Sequence, residues 1–171
     1  MLWMTVDEWQ FVQLSFADHA GEIQEFFERN ADFFVTIEDT VPGLELVKQT
    51  FTSVPDGVQP HQKQIVGVYR EQRLFSFIEL IRDRHRANEW LLSLFMIDID
   101  DRGLGFGRRV IEALEAKLSA LGVTCLLLGV VERNEPALVF WERLNYIPAE
   151  TFEGPGGKRI RTFYKELCSK N

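Results

Sequence analysis

Apolar and polar positions change rhythm several times along the chain. Gln10-Phe11-Val12-Gln13-Leu14 partly alternates, as a half-buried strand does, and Asp18 is placed to cap a following helix. Ile23, Phe26, Phe27 and Asn30 then recur at helical spacing, which predicts a helix over Ala20–Asn30. From Thr36 to Pro60 the pattern loosens: Pro42-Gly43, a short helical stretch over Leu44–Phe51, and the turn Pro55-Asp56-Gly57. This segment reads as a surface connection or as a lid over a substrate site.

Three runs rich in Val, Ile, Phe and Leu follow, Gln64–Tyr69, Leu74–Ile81 and Trp90–Ile99. Polar breaks at Arg70-Glu71-Gln72 and Asp83–Asn88 make them an antiparallel meander. After Gly107, Val110, Ile111, Leu114, Leu118 and Leu121 keep a three/four spacing, and Gly122 stands where a helix stops. Thr124–Val131 is almost continuously apolar, the expectation for a strand covered on both faces. Asn134 can cap a helix with Pro136 in its first turn and Ala137, Phe140, Trp141 and Leu144 along its inner side. Tyr146–Phe152 and Arg161–Leu167 close the chain as a hairpin around Gly154-Pro155-Gly156-Gly157. Together these predict a mixed α/β fold, with a mostly antiparallel central sheet of about seven strands and helices on both faces.

Composition narrows the functional classes. At 171 residues the expectation is one domain, residues 1–171, and 46% hydrophobic with 26% charged residues is globular composition. A formal charge of -7 argues against nucleic acid as a partner and mildly favours a cationic acceptor. The two cysteines, Cys125 and Cys168, form no CxxC pair and no ligand spacing with the histidines, so neither a metal nor a disulfide is expected. Asp7 and Glu8 interrupt the N-terminus where a signal peptide is apolar, and no run approaches the roughly 20 apolar residues of a membrane span. No membrane association and a cytoplasmic location are expected.

Candidate chemistry centres on Arg102-Gly103-Leu104-Gly105-Phe106-Gly107. Alternating glycines between a strand and a helix let backbone approach a ligand while the first helical N–H groups face an anion; an ordinary tight turn uses the same residues. Arg108-Arg109 follow Gly107, so the Lys-Ser/Thr of a nucleotide-triphosphate loop is absent, and Arg108 stands where a dinucleotide fingerprint needs glycine. Arg102, Arg108 and Arg109 surround the turn with positive charge, which opposes the helix dipole unless an anion is bound.

The pattern Arg/Gln-x-x-Gly-x-Gly/Ala, met by Arg102, Gly105 and Gly107, and the segment Asn134, Ala137, Phe140 resemble the GNAT superfamily of N-acetyltransferases over about Gln64–Phe152. The resemblance implies acetyl-coenzyme A as co-substrate, lying between splayed strands that end near Ile97 and Val131. Phe95, Met96 and Ile97 would pair with its pantetheine arm, the amides of Gly103, Leu104, Gly105, Phe106, Gly107 and Arg108 would hold its pyrophosphate, and Asn134 would contact it. The family often protonates the leaving thiolate with a tyrosine; here that position is Trp141, which cannot act as an acid and instead shapes the pocket or fills the core. Glu79, Glu89, Asp98 and Glu132 are candidate bases, none fixed by a motif. The expected activity is acetyl transfer to a primary amine of a small molecule or peptide, and the alternative is a noncatalytic acyl-CoA-binding module. Exposed edge strands allow a homodimer.

Overall fold

The computed structural model describes residues 1–167, so Cys168 lies outside it. Strand β1 (Leu2–Val6) turns into β2 (Trp9–Gln13), followed by helices α1 (Phe16–Arg29), α2 (Ala31–Thr36) and α3 (Leu44–Thr52). Strands β3 (Lys63–Arg70), β4 (Arg73–Ile81) and β5 (Glu89–Ile97) form the meander. Then come α4 (Phe106–Ala120), β6 (Cys125–Val131), α5 (Glu135–Arg143), β7 (Ile147–Glu153) and β8 (Arg159–Glu166). The strands form an eight-stranded sheet in the order β1-β2-β3-β4-β5-β6-β8-β7, antiparallel except for the β5–β6 pair.

The expected mixed, mostly antiparallel sheet is therefore present, with one strand more than anticipated. Leu2–Val6 is an edge strand whose mostly exposed or half-buried residues carry no clear alternation. Helix α2 was equally hidden, because its six residues are too few to display a period. Helix α1 starts earlier than Ala20. Ser15 is its cap, its hydroxyl accepting from the Asp18 N–H at 3.3 Å and donating to the Asp18 carboxylate at 2.6 Å, so Asp18 lies within the first turn rather than before it.

Each face of the sheet buries its own cluster. Beneath α4 and α5 lie Val110, Ile111, Leu114, Leu118 and Trp141, packed on Phe75, Ile78, Leu126, Leu128 and Phe163. On the opposite face α1–α3 bury Ile23, Phe26, Phe27, Phe34 and Val47 against Leu74, Phe77 and Met96. Phe27 anchors this second cluster, with ring centroids 4.6 Å from Phe34 and 5.1 Å from Phe77; each such buried ring contributes about 1.5–3 kcal/mol. That cluster draws on β2–β5 and takes nothing from β6, β7 or β8. On the α1–α3 face that half of the sheet has no helix over it.

This corrects the reading of Thr124–Val131 as covered on both sides. Leu126, Leu128 and Val130 are buried beneath the helices, whereas Leu127, Gly129 and Val131 line an open cleft. Their apolar character belongs to a cleft floor rather than to a second core.

Candidate active site

The β5–β6 ladder sets the site. It pairs Glu89–Leu92 with Cys125–Leu128 and goes no further, although both strands continue. Ser93 lies at a bulge: Glu79 of β4 faces Leu94 while Leu80 faces Leu92, leaving Ser93 unpaired. Beyond it the strands diverge around a narrow slot lined by Ser93, Phe95, Gly129, Asn134 and Trp141.

Backbone direction alternates along β5, so it decides which groups face the slot. The Asp98 N–H donates to Phe75 O at 2.8 Å, and Met96 O accepts from Ser76 Oγ at 2.9 Å, so these residues turn their backbone toward β4. Phe95 and Ile97 therefore point theirs at the divergence. Of the three residues expected to offer backbone groups there, Met96 does not, although it lines the neighbouring cavity.

Past Ile97 the chain makes one turn of 3-10 helix, Ile99–Asp101, capped by Asp98, and enters the glycine turn. Gly103 and Gly105 adopt φ of +76° and +80°, a region that L side chains rarely enter. Gly105 begins α4 without a side-chain cap and with no acidic residue in the first turn, so the leading N–H groups are left for an external acceptor. A Cβ on Gly107 would meet Phe140 at 3.3 Å, where the two helix starts come together. Leu104 is exposed at the tip and Phe106 folds inward, 5.6 Å from Trp9.

The arginines around this turn do different work than sequence suggested. Arg109 turns away: it pairs with Asp7 at 3.0 Å and lies 4.2 Å over the Trp9 ring. Its charge is thus balanced without a bound anion. Arg102 ties the turn to α2, donating to Asp32 at 2.6 Å, Asn30 Oδ1 at 2.7 Å and Ile97 O at 3.1 Å. Burial raises the Asp32 pKa, but the Arg102 hydrogen bond and charge outweigh it and hold the carboxyl below its ordinary range. Arg108 stays beside the glycines, donating to Arg143 O at 3.3 Å, and Arg143 lines the same recess. Arg143 sits 36 residues beyond Gly107 and carried no sequence signal of this proximity.

Helix α5 supplies the other wall. Asn134 caps it, its side chain accepting from the Ala137 N–H at 3.3 Å, and its exposed side faces the slot. Phe140 stacks on Phe95 at 6.0 Å, and Trp141, 6% exposed, packs edge-on against Phe140 and Tyr146. Trp141 is both a core residue and a wall of the slot.

Four recesses share residues and so form one trough. A recess of about 360 Å³ at Gly103–Arg108 shares Gly107 and Phe140 with a cavity of about 490 Å³ along β5 and α5. That cavity shares Phe95 and Trp141 with the slot, which in turn shares Ser93 and Gly129 with a cleft of about 970 Å³ over β6, β7 and β8. Over the slot runs the segment from α2, with Phe33 and Ile37 as its underside. It is pinned by Lys158 to Glu38 at 3.0 Å and by Arg133 to Asp39 at 2.6 Å. Gly129 has a local signal that was overlooked: a glycine inside a strand marks a close approach, here of Ile160, whose Cγ2 a Cβ would meet at 3.0 Å.

The candidate bases separate. Glu79 is 8% exposed, 3.2 Å from Lys63, and hydrogen-bonded by the Ser93 side chain; burial outweighs these partners and raises its pKa. Glu89 enters β5 six residues before Phe95, roughly 20 Å away along an extended strand. Asp98 is fully buried between Arg29 at 2.8 Å and Arg73 at 3.5 Å. Glu132 is held by Arg159 at 2.7 Å and Arg161 at 3.0 Å, whose hydrogen bonds keep it below the usual carboxylate range. Of the four, Glu79 alone is linked to the slot, through Ser93, and it lies behind the slot wall rather than in it. Two tyrosines are committed elsewhere, Tyr146 donating to Glu115 at 2.8 Å and Tyr69 to Glu22 at 2.6 Å; burial pushes both phenols upward. Among the described residues there is no metal-holding group of His, Cys, Asp and Glu, and no helix long and apolar enough to cross a membrane.

Comparison with known proteins agrees with this geometry. A 5-NmdU N-acetyltransferase of Pseudomonas phage PaMx11 is 30% identical over 106 residues, 62% of this chain and 65% of that protein. The match thus spans slightly less than two thirds of that relative's length. An acetyltransferase from Thermus thermophilus superimposes with a TM-score of 0.78 at 22% identity, covering 96% of this chain and 100% of the other. The ribosomal-protein-S18-alanine N-acetyltransferase of Escherichia coli gives 0.67 at 15% identity, covering 95% and 96%. At such identities the structural likeness is one of fold. The Acetyltransferase (GNAT) family model matches residues 3–146, and with the diverging strands and the uncapped glycine turn in place, the chain belongs to the GNAT family of acetyltransferases.

Proposed function

We propose that the chain is one acetyltransferase domain that moves an acetyl group from acetyl-coenzyme A to a primary amine. The observation that carries this reading is the trough, which runs from an anion-ready helix start, through a gap in the sheet, to an open cleft on the other face. A diphosphate suits Gly103–Arg108, where the free N–H groups of α4 are joined by the Arg108 guanidinium. An extended amide-bearing arm suits the divergence, where Phe95 and Ile97 supply backbone partners and Asn134 lies alongside. The phage and Escherichia coli proteins are named for N-acetylation, which supports an amine nitrogen as acceptor.

The bound thioester supplies an activated acetyl group and a thiol leaving group. The Phe95 N–H is placed to polarise its carbonyl. An ammonium acceptor must first lose a proton, and Ser93, exposed where slot and cleft meet, can pass it to Glu79 behind the bulge. Trp141 holds the Phe95–Phe140 wall and donates no proton. A thiol of reference pKa about 8.5 leaves readily as thiolate, so transfer proceeds without an acid at this position.

The second reading, a noncatalytic acyl-CoA-binding module, rests on Trp141 standing where the family's tyrosine acid is common. Calorimetry with coenzyme A and thiol release over a panel of primary amines separate the two. Acetyl transfer predicts saturable binding and amine-dependent thiol release, while binding without turnover on any amine identifies the module. For Glu79→Gln and Ser93→Ala we expect kcat to fall about 10²-fold or more with the KM for acetyl-CoA preserved, the usual worth of a proton acceptor. In the native protein kcat should rise with pH through a limb above the ordinary carboxylate range, and Glu79→Gln should flatten it; an unchanged limb would assign the base elsewhere.

A further inference from the structure

The open cleft has two ends of different chemistry. Where it joins the slot, Lys158 is neutralised by Glu38, so an arriving amine meets no free cation. At the other end stands the β4–β5 turn carrying Arg84, His85 and Arg86, all of which line the cleft. That turn is fixed in place. The Arg84 N–H donates to Glu89 O at 2.8 Å, the Glu89 N–H to Arg86 O at 3.2 Å, and the Asn88 N–H to Asp83 Oδ1 at 2.7 Å.

Its two guanidiniums are also unspent. Arg84 donates to the Asp56 carbonyl at 3.2 Å, and neither arginine pairs with a carboxylate among the described residues. The arginines at 29, 70, 73, 102, 109, 133, 159 and 161 each hold one at 3.0 Å or closer. In a chain of net charge -7, two cations thus face one end of the cleft without a carboxylate partner. Glu89 and Glu150 also line the cleft but do not neutralise them. Between the two ends the floor is apolar, with Leu91, Leu127, Phe152 and Tyr164. From Glu89 at the root of the turn to Ser93 at the slot is four strand residues, about 13 Å.

Resting on the acetyl-transfer reading above, we infer that the acceptor is an elongated amine with an apolar middle and an anionic far end, a phosphate or a carboxylate. Arg84 and Arg86 hold that end while the amine reaches Ser93 and Gly129. A guanidinium fork is the side chain that matches either oxyanion in two-point fashion.

The test uses four amines of equal length: ω-aminooctyl phosphate, ω-aminooctanoate, ω-aminooctanol and diaminooctane. We expect kcat/KM for the better anionic amine to exceed that for the alcohol by about tenfold or more, as one charge-assisted contact would give. The higher of the phosphate and carboxylate values identifies the group. In the double variant Arg84→Ala/Arg86→Ala the anion-to-alcohol ratio should fall to near one, with coenzyme A binding intact. Added salt should shrink the native ratio. Calorimetry of ω-aminooctyl phosphate on protein saturated with coenzyme A reads the same preference without turnover. Preference for the alcohol or the diamine, or a ratio that survives the double variant, overturns the inference. If amines are acetylated with no anion preference, the inference alone fails. If the arginine-dependent binding is present but no amine is acetylated, the anion-binding end stands and acetyl transfer fails.

Discussion

At Gly105 a side chain would be strained by a φ of +80° yet meet no atom within 4 Å, whereas at Gly107 the backbone is ordinary and Phe140 lies 3.3 Å from a new Cβ. The two substitutions should therefore fail differently. Gly105→Val should lose about 1–3 kcal/mol of stability through its backbone. Gly107→Val should keep most of its stability and press Phe140 out of its stack on Phe95. Both should weaken coenzyme A binding by about tenfold or more, which needs only one lost contact of about 1.4 kcal/mol. Thermal melts beside calorimetry separate strain from obstruction; unchanged affinity in both would remove the glycine turn from the site. These glycines and Asn134 were legible because a turn and a cap are written in neighbouring residues. Arg109 was not, because its partner Asp7 lies 102 residues away and nothing local announces it.

Helix α2 and the residues after it act as a strap, held by four ion pairs to three separate loops: Asp32 to Arg102, Asp39 to Arg133, and both Glu38 and Asp39 to Lys158. Exposed pairs of this kind contribute little to global stability and are screened by salt. Their effect is local. The Asp32 and Asp39 carboxyls are both held below their ordinary pKa, so their contribution is present above the unfolded value and lost as pH falls through the folded one. Acidification below the usual carboxylate range should loosen the strap first. Amide exchange in residues 31–40 should then accelerate while α4 stays protected, and Asp32→Asn should show faster exchange already at neutral pH. Equal protection of strap and α4 through the acid range would contradict this. The Thr36–Pro60 stretch was anticipated as a possible lid, but the portion over the slot lies at its very start and in α2. The helix was invisible because its single buried residue, Phe34, sets no period.

Across the whole molecule, buried charge sits where the meander meets the glycine turn. Asp98 and Asp101 are almost fully buried and bind Arg29, Arg70 and Arg73, drawing α1, β3 and β4 onto the end of β5. Asp98→Ala would strip the cap from the 3-10 turn and leave Arg29 without its carboxylate, while Arg73 keeps Asp101. It should cost toward the lower end of the about 3–5 kcal/mol typical of a broken buried pair, since both arginines keep some solvent, and chemical denaturation would measure it. The sheet's order and its helical faces could be inferred from periodicity; the point where β6 parts from β5 could not, since an apolar run reads the same whether its second face meets a helix or a ligand. That parting has a consequence for how such a protein can diversify. Only four rungs join the two halves of the sheet, with the glycine turn anchored to β5 and the cleft floor supplied mostly by β6, β7 and β8. On the proposed function, inheritance can rewrite one half while keeping the other: new acceptors can be acquired by substitution beyond the seam, with the donor's berth left untouched.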